Sequence, residues 1–312
     1  MNDRTAVIPS IPLLALVFIA FLCILFGANT VAIKISLSGL GVFTTAGIRF
    51  SLSALTILAW AIFARQPIKI RKGQLHQLLI ISAIFFTQLS LFYTGLSKTH
   101  ASRGSLMANI QPFFVLFLAH FFIPGDQISK RKLLGILLGF AGVAFVILDK
   151  KGISSELKIG DLIILGAAFT WACNGVYTKK ILAGLQPFQV VLYPTLLSGP
   201  LFLITGFLSG EIMVNRLDCS VVFSVLYQGL VATSFGFVAW NTMLKKYGAV
   251  SLHSFIFLMP VSGVVLGGFV LGEPITTNVA VSLLLIVAGI LIVNMKPKKP
   301  AVPTIIHPGR NV

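Results

Sequence analysis

Asn29 and Asn174 are the residues of this chain best placed to do chemistry, because each sits in an apolar stretch where an amide is costly. Asn29 lies in FGANTVAIK (26–34) and Asn174 in WACNGVYTK (171–179). The two stretches align, with Val31/Val176 and Lys34/Lys179 identical and Phe26/Trp171 both aromatic. On a helix, positions i, i+3 and i+7 share a face, so Phe26 falls beside Asn29 and Trp171 beside Asn174. An aromatic ring one turn from an amide can stack on an organic ring or chain and hydrogen-bond its polar end. That is recognition chemistry rather than bond-breaking chemistry. We read both pairs as lining a cavity; the competing role is a hydrogen bond that joins two helices.

Further polar residues recur at matching places. Gln88 and Gln228 fall near the middle of apolar runs, where cavity lining and helix joining are equally good readings. Asn109 precedes Pro112, and His253 and Phe257 precede Pro260; Asn109, His253 and Phe257 are further candidates for contacting substrate. A proline inside a helix frees a carbonyl one turn earlier and permits a kink, so Pro112 and Pro260 are candidate gating positions; a passive kink is the alternative. Tyr93 and Trp240 lie near the ends of their runs and read as an interfacial aromatic belt. Lys34 and Lys179 read as paired interface anchors. Arg49 is a cation well inside an apolar run; holding helix-end carbonyls is the preferred role, and neutralising a substrate carboxylate is the alternative. The acidic residues fall in tails, loops or run ends, so no carboxylate relay crosses the apolar region. Transport down a gradient, or coupling through His253, whose charge changes near neutral pH, is the expectation. No HExxH, no paired Asp and no Ser/His constellation is present, and the three cysteines lack metal spacing. We therefore expect no enzyme, no metal and no cofactor.

These side chains must be carried by elements suited to lipid. The chain is 56% hydrophobic and only 10% charged, with a mean hydropathy of +0.97. Soluble domains carry about 25% charged residues. The apolar runs have the length of roughly 20 residues that a membrane helix needs. We place spans at 12–33, 41–64, 74–97, 103–123, 132–148, 160–181, 187–208, 219–240, 248–271 and 276–295. Residues 1–11 form a tail, with Met1 to Ala28 read as an uncleaved first helix and its leader, and 296–312 form a basic, Pro-rich tail. The +16 net charge falls between apolar runs, which fits topology signals and not a nucleic-acid surface. Most Lys and Arg lie in the tails and in the loops after spans 2, 4, 6 and 8, which puts both termini in the cytoplasm.

The alignment extends beyond the asparagines. LFYTGLSKTHAS parallels AWNTMLKKYGAV, Pro112 pairs with Pro260, and PGDQIS (124–129) parallels LGEPIT (271–276). This colinearity predicts an all-α polytopic membrane protein of ten transmembrane helices arranged as two five-helix repeats, 12–148 and 160–295. An odd number of spans per repeat inverts the second relative to the first, a transporter trait that puts the substrate site near the midplane between halves.

The chain resembles the EamA-type permeases of the drug/metabolite transporter superfamily over about residues 12–295. The resemblance rests on GAN (27–29) and ACN (172–174), GIRF (47–50), NIQP (109–112), LMP (258–260) and LGEPIT (271–276); PGDQIS departs from the family's usual LGE-like turn. It implies export of small metabolites, often amino acids or derivatives, by alternating access in a bacterial inner membrane. Lipophilic drugs, lipids and nucleotide sugars are the alternative cargoes. The expected partners are a small-molecule substrate and membrane lipids, with the chain acting as a monomer.

Overall fold

The computed structural model describes residues 12–65, 68–71, 73–122, 130–147, 155–181, 184–247 and 255–294. Among these the chain is helical, apart from one isolated bridge between Leu40 and Val214. Lipid offers the backbone no hydrogen bonds, so a helix, which satisfies its own N–H and C=O groups, is the structure such a composition selects. Large apolar side chains accordingly point outward: Phe63 is 87% and Phe269 88% exposed. Small and polar side chains are turned inward. Six helical stretches are long and apolar enough to cross a membrane, and two shorter apolar helices accompany them.

The helices are α1 (Leu13–Ser36), α2 (Val42–Phe63), α3 (Leu75–Lys98), α4 (Ala101–Ala108), α5 (Gln111–Phe122), α6 (Lys130–Ile147), α7 (Ser155–Ile181), α8 (Pro187–Leu208) and α9 (Cys219–Leu226). A π-helical segment, Tyr227–Phe235, joins α9 to α10 (Gly236–Tyr247); α11 (Leu258–Leu271) and α12 (Thr277–Asn294) complete the order. Every expected span coincides with one or more helices, but two spans are interrupted. Span 103–123 is broken at Asn109–Ile110 into α4 and α5, and span 219–240 passes through the π segment.

The break corrects the expectation for the prolines. Pro112 does not kink a continuous helix; it is the second residue of α5. Pro260 is the third residue of α11, preceded by a turn at 255–257. In a first turn the N–H that proline lacks would be unpaired anyway, so the ring starts these helices at little cost. Interior prolines occur instead in α8, at Pro194 and Pro200.

Packing is arranged in corresponding pairs. α6 lies against α12 and α2 against α8; α7 packs on α3, α4 and α5, while α1 packs on α11 and on the α9–α10 region. The α6–α12 contact brings backbones together: a Cβ on Gly289 would meet Gly135 O at 2.7 Å, and one on Gly135 would meet Gly289 O at 2.8 Å. Only glycine fits both places, the small-residue packing expected between membrane helices.

Helix ends at one side of the bundle are tied by charge. Lys34 Nζ donates to Leu96 O at 2.8 Å, Ser97 O at 3.3 Å and Thr99 O at 2.5 Å. It therefore closes the C-terminus of α3, and is not a free interface anchor; the side chain of its counterpart Lys179 lies outside the described residues. Glu273, which follows the left-handed Gly272 (φ 65°), accepts from Ala101 N and Ser102 N at the start of α4. Glu211 does the same for α2 through Phe43 N and Thr44 N. Asp218 caps α9; the Ser220 hydroxyl and Val221 N–H hold its carboxyl below the usual carboxylate range.

Candidate functional site: a cavity between the two halves

A cavity of about 340 Å³ opens between α1, α2, α3, α7, α8 and α10, with the first residue of α5 at its wall. Its walls are aromatic: Phe50, Phe85, Phe92, Trp171, Phe237 and Trp240. Its polar groups are Asn29, Arg49, Gln88, Gln111, Asn174 and Thr178. Asn29 Oδ1, Gln88 Oε1 and Asn174 Nδ2 are buried without a hydrogen-bond partner among the described residues. Buried amides without partners are expensive, and here all three belong to one cavity. Such a wall can hold a molecule with an apolar body and a hydrogen-bonding end.

The helices bring these residues together for simple reasons. Asn29 and Asn174 project from α1 and α7, which stand at corresponding places in the two packing sets. Gln88 lies on the buried stripe of α3 with Leu89, Phe92 and Tyr93. Thr178, one turn beyond Asn174, donates to its Oδ1 at 3.2 Å, which leaves the Nδ2 of that amide free.

Other expected site residues lie elsewhere. Phe26 stands behind the wall, its ring 6.0 Å from Phe237 and 5.9 Å from Trp240. Asn109 turns back to its own helix, donating to Ser105 O at 2.8 Å. Phe257 packs with the main apolar core, away from the cavity lining. His253 lies outside the described residues.

Gln228 is fully buried and joins helices: its Nε2 donates to Ser36 Oγ at 2.6 Å and to the carbonyls of Ala32 and Ser224. Its Oε1 accepts from Tyr93 Oη at 3.0 Å. Tyr93 is thus no interfacial residue; it is 0% exposed. Trp240, also expected at an interface, lines the cavity.

The network ends at a residue that sequence reasoning placed in a structural role. Arg49 donates through Nη1 to Tyr93 Oη at 2.9 Å and through Nε to Thr233 Oγ1 at 2.9 Å. Its guanidinium carbon lies 4.9 Å from the centre of the Phe50 ring. Among the described residues Arg49 holds no helix-end carbonyl, and it forms part of the cavity wall. The π segment supplies Thr233, and π geometry has no reliable signal in sequence. The other buried arginine among the described residues, Arg103, is different. Arg103 binds Asp161 through Nε at 3.0 Å and through Nη2, and Nη2 also donates to Val146 O. Thr99 donates to the second Asp161 oxygen at 2.7 Å. Asp161 is 0% exposed, so a carboxylate expected at a run end is in fact enclosed.

The pattern of the EamA-like transporter family fits residues 13–148 and, a second time, 158–295. The chain belongs to this family. It is a multi-pass membrane protein and a transporter. It is 28% identical over 285 residues to the uncharacterized transporter YvbV of Bacillus subtilis (strain 168), covering 90% of this chain and 91% of that one. It is also 28% identical over 278 residues to a protein of Escherichia coli (strain K12) named probable amino-acid metabolite efflux pump, covering 86% and 91%. A solved crystal structure shares the fold at a TM-score of 0.68 and 18% identity, over 89% of this chain and 96% of its own.

Proposed function

We propose that this protein exports small metabolites, amino acids or related compounds foremost, from the cytoplasm across a bacterial inner membrane. Ten spans, counting α4–α5 and α9–α10 as one each, form two five-helix units of opposite orientation with both termini cytoplasmic. The observation that carries the reading is the cavity itself. It lies between corresponding helices of the two units and gathers amide atoms left without a partner, Asn29 Oδ1, Gln88 Oε1 and Asn174 Nδ2, within an aromatic wall. Two related units can close one end of such a cavity while opening the other, which is alternating access.

Asn29, Asn174, Gln88 and Trp171 hold the substrate; Pro112 and Pro260, in the first turns of α5 and α11, are the gating positions. Phe26 supports the wall from behind, and Gln228 holds α1 and α3 to the π segment. Among the described residues the cavity wall includes no Asp or Glu. A facilitator, or a carrier weakly coupled through His253, accords with that. A nucleotide sugar would call for several cations around its phosphates; the wall offers Arg49.

Overproducing cells should resist toxic amino-acid analogues and dipeptides and release them faster than control cells. Counterflow in liposomes, with and without a pH gradient, separates facilitation from coupling. If no compound's efflux changes, the amino-acid assignment fails; uphill uptake that survives His253→Ala removes both coupling schemes.

A further inference from the structure

We propose that Arg49 is the anion receptor of the cavity, so that exported compounds carry a carboxylate that docks on its guanidinium. The inference rests on the transport reading above and names the chemical class the site takes.

A buried cation normally needs a charged partner, because desolvation costs several kcal/mol per ion. Arg49 is 5% exposed, yet its protein acceptors are two neutral hydroxyls, Thr233 Oγ1 and Tyr93 Oη. No carboxylate lies within ion-pairing distance of it among the described residues, and Nη2 has no bonded acceptor among them. The Phe50 face lends partial electrostatic compensation. Tyr93 and Thr233 are themselves held, Tyr93 by Gln228 and Thr233 within the π segment. The guanidinium is therefore fixed in direction rather than free to snorkel. Nε and Nη1 each donate to a protein hydroxyl, and the residue forms part of the cavity wall.

An arginine presents paired N–H groups that match a carboxylate, and a carboxylate would supply the missing charge. The unpartnered Nδ2 of Asn174 is a second donor in the same cavity. A substrate ammonium would find the neutral amide oxygens of Asn29 and Gln88, and no carboxylate among the described lining residues. The site should thus demand the carboxylate and tolerate loss of the ammonium.

The test uses the purified full chain and four probes of one skeleton: L-leucine, 4-methylpentanoate, L-leucine methyl ester and 3-methylbutylamine. Binding is followed by tryptophan fluorescence, since Trp171 and Trp240 line the cavity. The two acids should bind with similar affinity, and the ester and amine at least about tenfold more weakly. Arg49→Gln should remove that preference and Arg49→Lys should restore part of it. The wild-type series stands alone should Arg49→Gln fail to accumulate. The proposal is overturned if the ester or amine binds as well as leucine, if none of the four binds, or if Arg49→Gln keeps wild-type affinity for 4-methylpentanoate. Flux assays in liposomes separate the two readings. Flux indifferent to the carboxylate removes the Arg49 assignment alone, whereas acid-selective binding without flux of any compound removes the transport reading.

Discussion

Two interior arginines are solvated by this protein in opposite ways. Arg103 is 3% exposed and Arg49 5%. Arg103 sits where α4 meets α7 and has a protein counter-ion: its Nε and Nη2 bind one oxygen of Asp161, Thr99 holds the other, and Nη2 also donates to Val146 O. Arg49 sits at the cavity, bonded to hydroxyls and backed by an aromatic ring. The first arrangement is complete without a ligand and ties helix ends. The second leaves charge to be answered by something that enters. Burial alone does not separate a structural arginine from a functional one; the charge of its partners does.

The comparison is broken most easily at Asp161. Asp161→Asn leaves Arg103 buried without its counter-ion, and we expect a loss of about 3–5 kcal/mol of stability, read as a lower thermal midpoint and poorer yield in detergent. Replacing both partners, Arg103→Met with Asp161→Leu, should recover most of that loss. A wild-type midpoint for Asp161→Asn would mean that the pair is not what ties α4 to α7.

Tyr93→Phe probes the shared hinge of the Arg49 network. It removes an acceptor from Arg49 and a donor from Gln228 in a site closed to water, and should cost about 1–3 kcal/mol. It should also weaken carboxylate binding, because Arg49 loses its direction. Unchanged binding with reduced stability would assign Tyr93 to packing alone.

Arg49→Met sharpens the contrast with Arg103. Removing a cation that has no protein counter-ion should change stability by no more than about 1 kcal/mol, while affinity for 4-methylpentanoate falls at least about tenfold, or roughly 1.4 kcal/mol. Destabilisation as large as that of Asp161→Asn would erase the distinction between the two sites. Thr233→Val takes one neutral acceptor from Nε and should cost about 0.5–1.5 kcal/mol. Thr233→Ser should restore it.

Much of this frame is readable in residues. The apolar runs, the Asn29/Asn174 pair and the Pro112/Pro260 pair lie at the places where helices, cavity wall and helix starts are found. What escaped has identifiable causes. Pro112 signals a disturbance of the helix, but a kink and a break with a fresh first turn share that residue. Tyr93 and Trp240 stand near run ends, where interface and interior positions have the same composition; rotation about the helix axis decides between them. Gln228 was ambiguous because an amide serves equally as glue or as lining, and its three acceptors come from α1 and α9. The acceptors of Arg49 are hydroxyls and not helix-end carbonyls, and they are not legible in sequence because Tyr93 and Thr233 are remote from it.

By itself the sequence determined that this chain lives in lipid as a set of helices, and that it carries two related halves. The reason is local: each apolar run must satisfy its own backbone, and helical length follows from bilayer thickness. Tertiary structure alone decided which polar groups are spent and which remain available. Partnering is a property of space between helices, so the same amide or guanidinium becomes a tie or a receptor according to what the neighbouring helix presents. Asn29, Asn174, Gln88 and Arg49 became one site only when α1, α2, α3 and α7 enclosed them.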